Sequence, residues 1–92
     1  MADTKTLRVA YGTLTTNLAN EVERASGDRT VVSMLNTALE RVADEFKDAA
    51  MSAEVTAEQF DKAASGAWAA GTAHQKMIAR CRFDRALART FA

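Results

Sequence analysis

Apolar residues Val31, Leu35, Leu39, Val42, Phe46 and Ala49 recur at steps of four, four, three, four and three. A helix with one buried face produces that spacing and a strand does not. Charged residues Arg41, Asp44, Glu45, Lys47 and Asp48 lie between them. Asp28 can serve as N-cap, and Gly27 can take positive φ to end a preceding helix, so one central helix is expected from Asp28 to Met51. Its apolar stripe stabilises little until another surface covers it.

The flanking segments are written to supply that surface. Leu7, Tyr11, Leu14, Leu18 and Val22 step by four, three, four and four, which predicts a first helix from Asp3 or Thr4 to Ala25. Gly12, Thr13, Thr15 and Thr16 are weak helix formers, so this helix must be held by packing. Glu21 and Glu23 fall near its C-terminal end, where the helix dipole disfavours acids; Arg24 partly offsets them. Ser26-Gly27-Asp28 is a short connection, and short connections make antiparallel neighbours.

After Met51 the signals are those of helix starts. Thr56 and Gln59 have the spacing of a capping box, with Val55 and Phe60 placed for a hydrophobic staple. Phe60, Ala63, Ala64, Ala67 and Ala70 then share one side of a third helix. Gly71 is a stop, and Thr72 with Gln75 repeats the box to open a fourth helix to about Thr90. The rival pattern is one helix from Ala57 to Thr90. The expected fold is therefore all-α: a small antiparallel bundle of four helices, or three with a long C-terminal one, in a single domain over residues 1–92.

Composition changes this picture in one respect. Hydrophobic residues make up 48% of the chain, enough for a core, but alanine supplies much of that fraction. Ala-rich helix contacts bury little area at roughly 25 cal/mol per Å², which points to modest stability or to help from a partner chain. Proline is absent, so nothing forbids helix on that account. A single cysteine, Cys81, excludes an internal disulfide framework and fits a reducing compartment. No apolar run approaches the roughly 18 residues of a membrane span, and Met-Ala-Asp-Thr-Lys-Thr lacks a signal-peptide core. A cytoplasmic location without a membrane partner is expected.

Charge is segregated along the chain. Residues 1–61 carry six Lys/Arg against eleven Asp/Glu, a balance of −5; residues 62–92 carry six against Asp84 alone, a balance of +5. Such polarity means either internal pairing within a bundle or a basic face kept for a partner. On a helical wheel Arg82, Arg85 and Arg89 form a strip beside Ile78. Arginine suits bidentate contacts to carboxylate or phosphate, yet three arginines without interleaved aromatics are a weak nucleic-acid signature. Internal or solvated use of the strip is the preferred reading. Asp84 falls inside the apolar face of the same wheel, where Arg80 one turn earlier can pair with it.

Other candidates carry less. His74 and Cys81 lie two turns apart but make neither a zinc set nor a nucleophile–base pair with its orienting third group. Trp68 sits at the edge of an apolar face, where it serves either as core or as an interface anchor. Thr72, His74 and Gln75 could reach base edges if the third and fourth helices formed a helix-turn-helix, although Gly71-Thr72 is short for such a turn. No base, nucleophile, metal set or cofactor motif converges, so an enzyme is not expected and no cofactor is implied.

The function expected from residues alone is a small intracellular interaction protein, of the inhibitor, adaptor or chaperone-like kind and of a size common in phages and mobile elements. It would act on a protein partner or as a homodimer through Trp68, Ile78, Arg82, Arg85 and Arg89. The alternative is a nucleic-acid-binding regulator using the arginine strip.

Overall fold

Thr4–Thr6 form a short strand, β1, where the first helix was expected to begin. The computed structural model describes residues 3–92; Met1 and Ala2, which open the segment read for a signal-peptide core, lie outside the described residues. β1 pairs antiparallel with β2 (Glu54–Thr56) in the register Thr4 to Thr56, Lys5 to Val55 and Thr6 to Glu54. β-Branched threonine and valine favour the extended backbone, and each strand ends in a threonine that caps a helix.

Thr6 is thus the N-cap of α1 (Leu7–Arg24). The first free N–H groups of α1 find acceptors in the loop before β2: Leu7 donates to the Ala53 carbonyl at 2.8 Å and Arg8 to that of Met51 at 3.0 Å. Leu7, Ala10, Leu14, Leu18 and Glu21 are its buried residues. The face is turned slightly from the expected one, leaving Tyr11 and Val22 half-buried.

α2 (Arg29–Glu45) is capped by Asp28, whose Oδ1 accepts from the N–H groups of Thr30 (3.0 Å) and Val31 (3.2 Å). None of the described glycines has positive φ, so Gly27 does not stop α1 in the expected way. α2 also ends six residues before the expected Met51. Asp44, Glu45 and Asp48 crowd the negative end of its dipole with no cation in the last helical turn, which disfavours continuation. Phe46 then turns inward to meet Phe60 edge-on, ring centroids 5.3 Å apart, and the chain returns to β2.

The two capping boxes close as read. Thr56 starts α3 (Ala57–Ala64), its Oγ1 accepting from Gln59 N at 3.2 Å while Gln59 Oε1 accepts from Thr56 N at 2.8 Å. Thr72 starts α4 (Ala73–Thr90) in the same way, at 3.2 and 3.0 Å. Between them Ser65–Ala69 form a 3-10 turn, so the long-helix alternative is excluded. Gly71 sits in close approach to α2: a Cβ there would lie 2.8 Å from the Met34 methyl group, which would have to shift.

The result is an all-α bundle with one small two-stranded antiparallel sheet, whose strands are separated in sequence by α1 and α2. Its core runs from Leu7, Leu14 and Leu18 through Val31, Leu35, Ala38 and Val42 to Phe60, Phe83, Leu87 and Phe91. Leu39, Phe46 and Ile78 pack against it from the margin. Phe60 also contacts Phe91, at 5.8 Å between ring centroids. Among the described residues, no helix is long and apolar enough to cross a membrane.

Candidate functional site

α4 defines the site because its two sides are unlike. Its N-terminus is fixed by the Thr72 box and by Gln75, whose Nε2 donates to both carboxylate oxygens of Asp28 at 3.3 Å. Its C-terminal end is tied to α1: Asn17 Nδ2 donates to Thr90 Oγ1 at 3.1 Å, and Thr90 Oγ1 donates to the Ala86 carbonyl at 2.7 Å. Ala79, Phe83, Ala86, Leu87 and Thr90 face inward. With the 3.6-residue repeat set by those residues, His74, Met77, Cys81, Arg85 and Ala88 are left pointing to solvent.

This outer face has an apolar half and a cationic half. Met77 is 55% exposed, among the most exposed large apolar side chains of the described residues. Ile78 lies half-buried beside it, and the Cys81 thiol is free and exposed. Met77, Ile78, Cys81, Arg82 and Arg85 line a shallow concavity of about 190 Å³. A second, of about 240 Å³, continues past Ile78 and Arg82 to the α1–α2 turn at Arg24, Gly27 and Asp28.

Of the five residues expected to bind a partner, the fold brings Ile78, Arg82 and Arg85 to one concavity. Arg89 is exposed one turn beyond Arg85. Trp68 is not there. It is 9% exposed, with its ring 5.6 Å from that of Phe83 at 63°. The indole is part of the core, packed edge-on against Phe83, so the expected surface joining Trp68 to α4 does not form.

The arginine strip is divided in its use. Arg82 Nη1 donates to Glu21 Oε1 at 3.1 Å, with the Glu21 side chain 1% exposed and that of Arg82 26% exposed. Glu21 Oε2 and Arg82 Nε are buried without a partner. Sequence reasoning placed Glu21 only as an acid near a helix end. The signal for its burial was its spacing of three after Leu18 and seven after Leu14, which puts it on the buried stripe of α1. Besides this pair, the described residues contain one other salt bridge, the exposed contact at 3.8 Å between Lys47, in the turn after α2, and Asp44 in its last turn. Arg85 and Arg89 therefore have no carboxylate at ion-pair distance.

Asp84 differs from expectation: it is exposed, on the flank of α4 away from α1, rather than inside the apolar face. Crowding by neighbouring atoms raises its carboxyl above the ordinary aspartate range; Asp61 adds to the rise and Arg80 opposes it. Thr72 and Gln75 are both engaged in the capping box, which removes two of the three side chains that a helix-turn-helix reading would send to base edges. Among the described residues, no three His, Cys, Asp or Glu side chains gather closely enough to hold a metal ion. Comparison with protein-family models, with curated proteins and with solved structures returns no match to this chain.

Proposed function

We propose that this chain is a protein-interaction module that presents the outer face of α4 to an acidic partner. One observation carries the reading. An exposed apolar strip, Met77-Ile78-Cys81, is continuous with two arginines that have no carboxylate of their own. Apolar area beside arginine is the composition of a binding surface, where arginine and large apolar side chains act as anchors. Nucleic acid is the weaker alternative, since Arg82 is held by Glu21 and only Arg85 and Arg89 of the strip remain for phosphates.

The test is affinity capture from the cell of origin with wild type and with a Met77→Glu, Arg85→Glu double variant, both checked for helical content by circular dichroism. Loss of the captured protein in the folded variant supports the reading. Retention of the same captured set would sink it. Capture that is removed by nuclease, or that collapses steeply as salt rises, would move the assignment to nucleic acid.

A further inference from the structure

We infer that the acidic partner of the α4 face is a second copy of this chain, docked head to tail through a groove between α1 and α2. The inference rests on the reading of α4 as a binding face and names its occupant. The groove has a volume of about 470 Å³, a floor that includes the half-buried Val22 and Val32, and Glu23 and Glu40 on its walls, with Arg29 as the one cation lining it. A cavity of about 150 Å³ already accepts a benzene-sized group, so this groove has room for the exposed Met77 side chain, with Ile78 at the margin of the contact. Neither Glu23 nor Glu40 is in an ion pair, and neither is Arg85 or Arg89. Apolar floor meets apolar strip, and two free carboxylates meet two free guanidinium groups.

The two surfaces cannot meet within one molecule. α1 lies between them: Asn17 and Glu21 are turned to α4, whereas Val22 borders the groove with α2. The charge segregation of the sequence, −5 over residues 1–61 and +5 over residues 62–92, survives folding for the same reason. Among the described residues, Arg82–Glu21 is the one ion pair that joins the two segments. An antiparallel two-fold contact of α4 with itself across Met77 would leave Arg85 and Arg89 opposite its first turn, which holds no carboxylate. A head-to-tail contact avoids that, and it leaves one free surface at each end, so it grows instead of closing at a dimer.

Sedimentation velocity on the full chain tests this with two complementary variants. Arg85→Glu spoils the α4 face and keeps the groove; Glu40→Lys spoils the groove and keeps the α4 face. Both sites are exposed, so folding is not at stake, and circular dichroism verifies it. Wild type is expected to show a mass that rises with concentration without stopping at a dimer and falls as salt is added. Each variant alone is expected to stay monomeric. Their equimolar mixture is expected to associate and at least double in mass, because each copy supplies the surface the other lacks and the two reversed charges suit each other. A monomeric wild type, a mixture no heavier than its components, or a wild-type dimer untouched by either variant would each overturn the inference. A monomeric wild type whose α4 variant still loses a captured protein would overturn self-docking alone and leave the interaction reading standing.

Discussion

The Arg82–Glu21 pair yields the sharpest stability prediction, because its two members are buried to different degrees. The Glu21 side chain is 1% exposed in the body of α1, whereas the Arg82 side chain is 26% exposed and opens toward the groove beside Ile78. Arg82→Ala strands a carboxylate that cannot reach water unless α1 moves. Removing one partner of a buried pair costs about 3–5 kcal/mol, a large part of the roughly 5–15 kcal/mol that holds a domain folded. Glu21→Ala leaves a guanidinium on a flexible stem that can swing into solvent, so the loss is closer to that of one charge-assisted hydrogen bond, about 1.5–3 kcal/mol. The pair also has an orphaned oxygen and an orphaned nitrogen. Replacing both members by apolar residues of similar volume, Glu21→Leu with Arg82→Met, is therefore expected to be neutral or stabilising by about 1–4 kcal/mol. Urea titrations followed by circular dichroism on wild type, the two alanine singles, the double alanine variant and the apolar double give the full cycle. Equal costs for the two alanine variants, or a double apolar variant less stable than Arg82→Ala, would refute the asymmetry.

Three further outcomes are expected. Phe60→Ala, at a fully buried ring in contact with Phe46 and Phe91, should cost about 3–5 kcal/mol; Leu39→Ala and Phe46→Ala, at half-buried positions, should cost less, about 1–2 kcal/mol each, and a reversed order of urea midpoints would count against the core described above. Thr72→Ala should cost about 0.5–2 kcal/mol and raise amide exchange at the start of α4, since Gln75 would lose its capping partner while still holding Asp28; unchanged exchange there would contradict the box. Asp84→Asn should raise stability slightly at neutral pH and lose that advantage in acid, because a carboxyl raised in the folded state favours folding when protonated and loses that contribution as pH rises from the ordinary aspartate value through the raised one; a midpoint lowered at neutral pH would show that the Arg80 attraction dominates instead.

Local chemistry was legible in the sequence wherever one side chain decides the outcome. Thr56/Gln59 and Thr72/Gln75 announce their helices because a hydroxyl and an amide three residues apart satisfy two backbone N–H groups reciprocally. Asp28 announces α2 for a similar reason. What stayed illegible depended on partners distant in the chain. Thr4–Thr6 is extended because Glu54–Thr56 lies beside it, and the carbonyls of Met51 and Ala53 then accept from the first turn of α1. Phe46, just past the end of α2, meets Phe60 fourteen residues further on. At the site, periodicity found the α4 strip but did not tell Arg82 from Arg85, since the difference is a carboxylate sixty-one residues away. Trp68 was ambiguous on a wheel drawn for a continuous helix, and the 3-10 turn at Ser65–Ala69 changes the angle at which its ring leaves the backbone.

The make-up of α4 links these points to function. A helix that only closes a bundle carries large apolar residues inward and polar ones outward. In α4 the inward positions alternate small and large, Ala79 and Ala86 with Phe83 and Leu87, while Met77 and Cys81 point out with Ile78 at the margin. Its first half is thus apolar on two sides, and the core accounts for one of them. Its second half carries Arg85 and Arg89 outward, beyond any carboxylate at ion-pair distance. Internal or solvated use was the reading preferred from sequence, and the strip divides between the two: Arg82 is paired internally, whereas Arg85 and Arg89 are exposed. An Ala-rich bundle gains little from each internal contact, so area left on α4 is area the fold itself does not use. Covering it with an acidic apolar surface would bury Met77 and neutralise two arginines at once, which is the energetic reason to look for the chain's activity there.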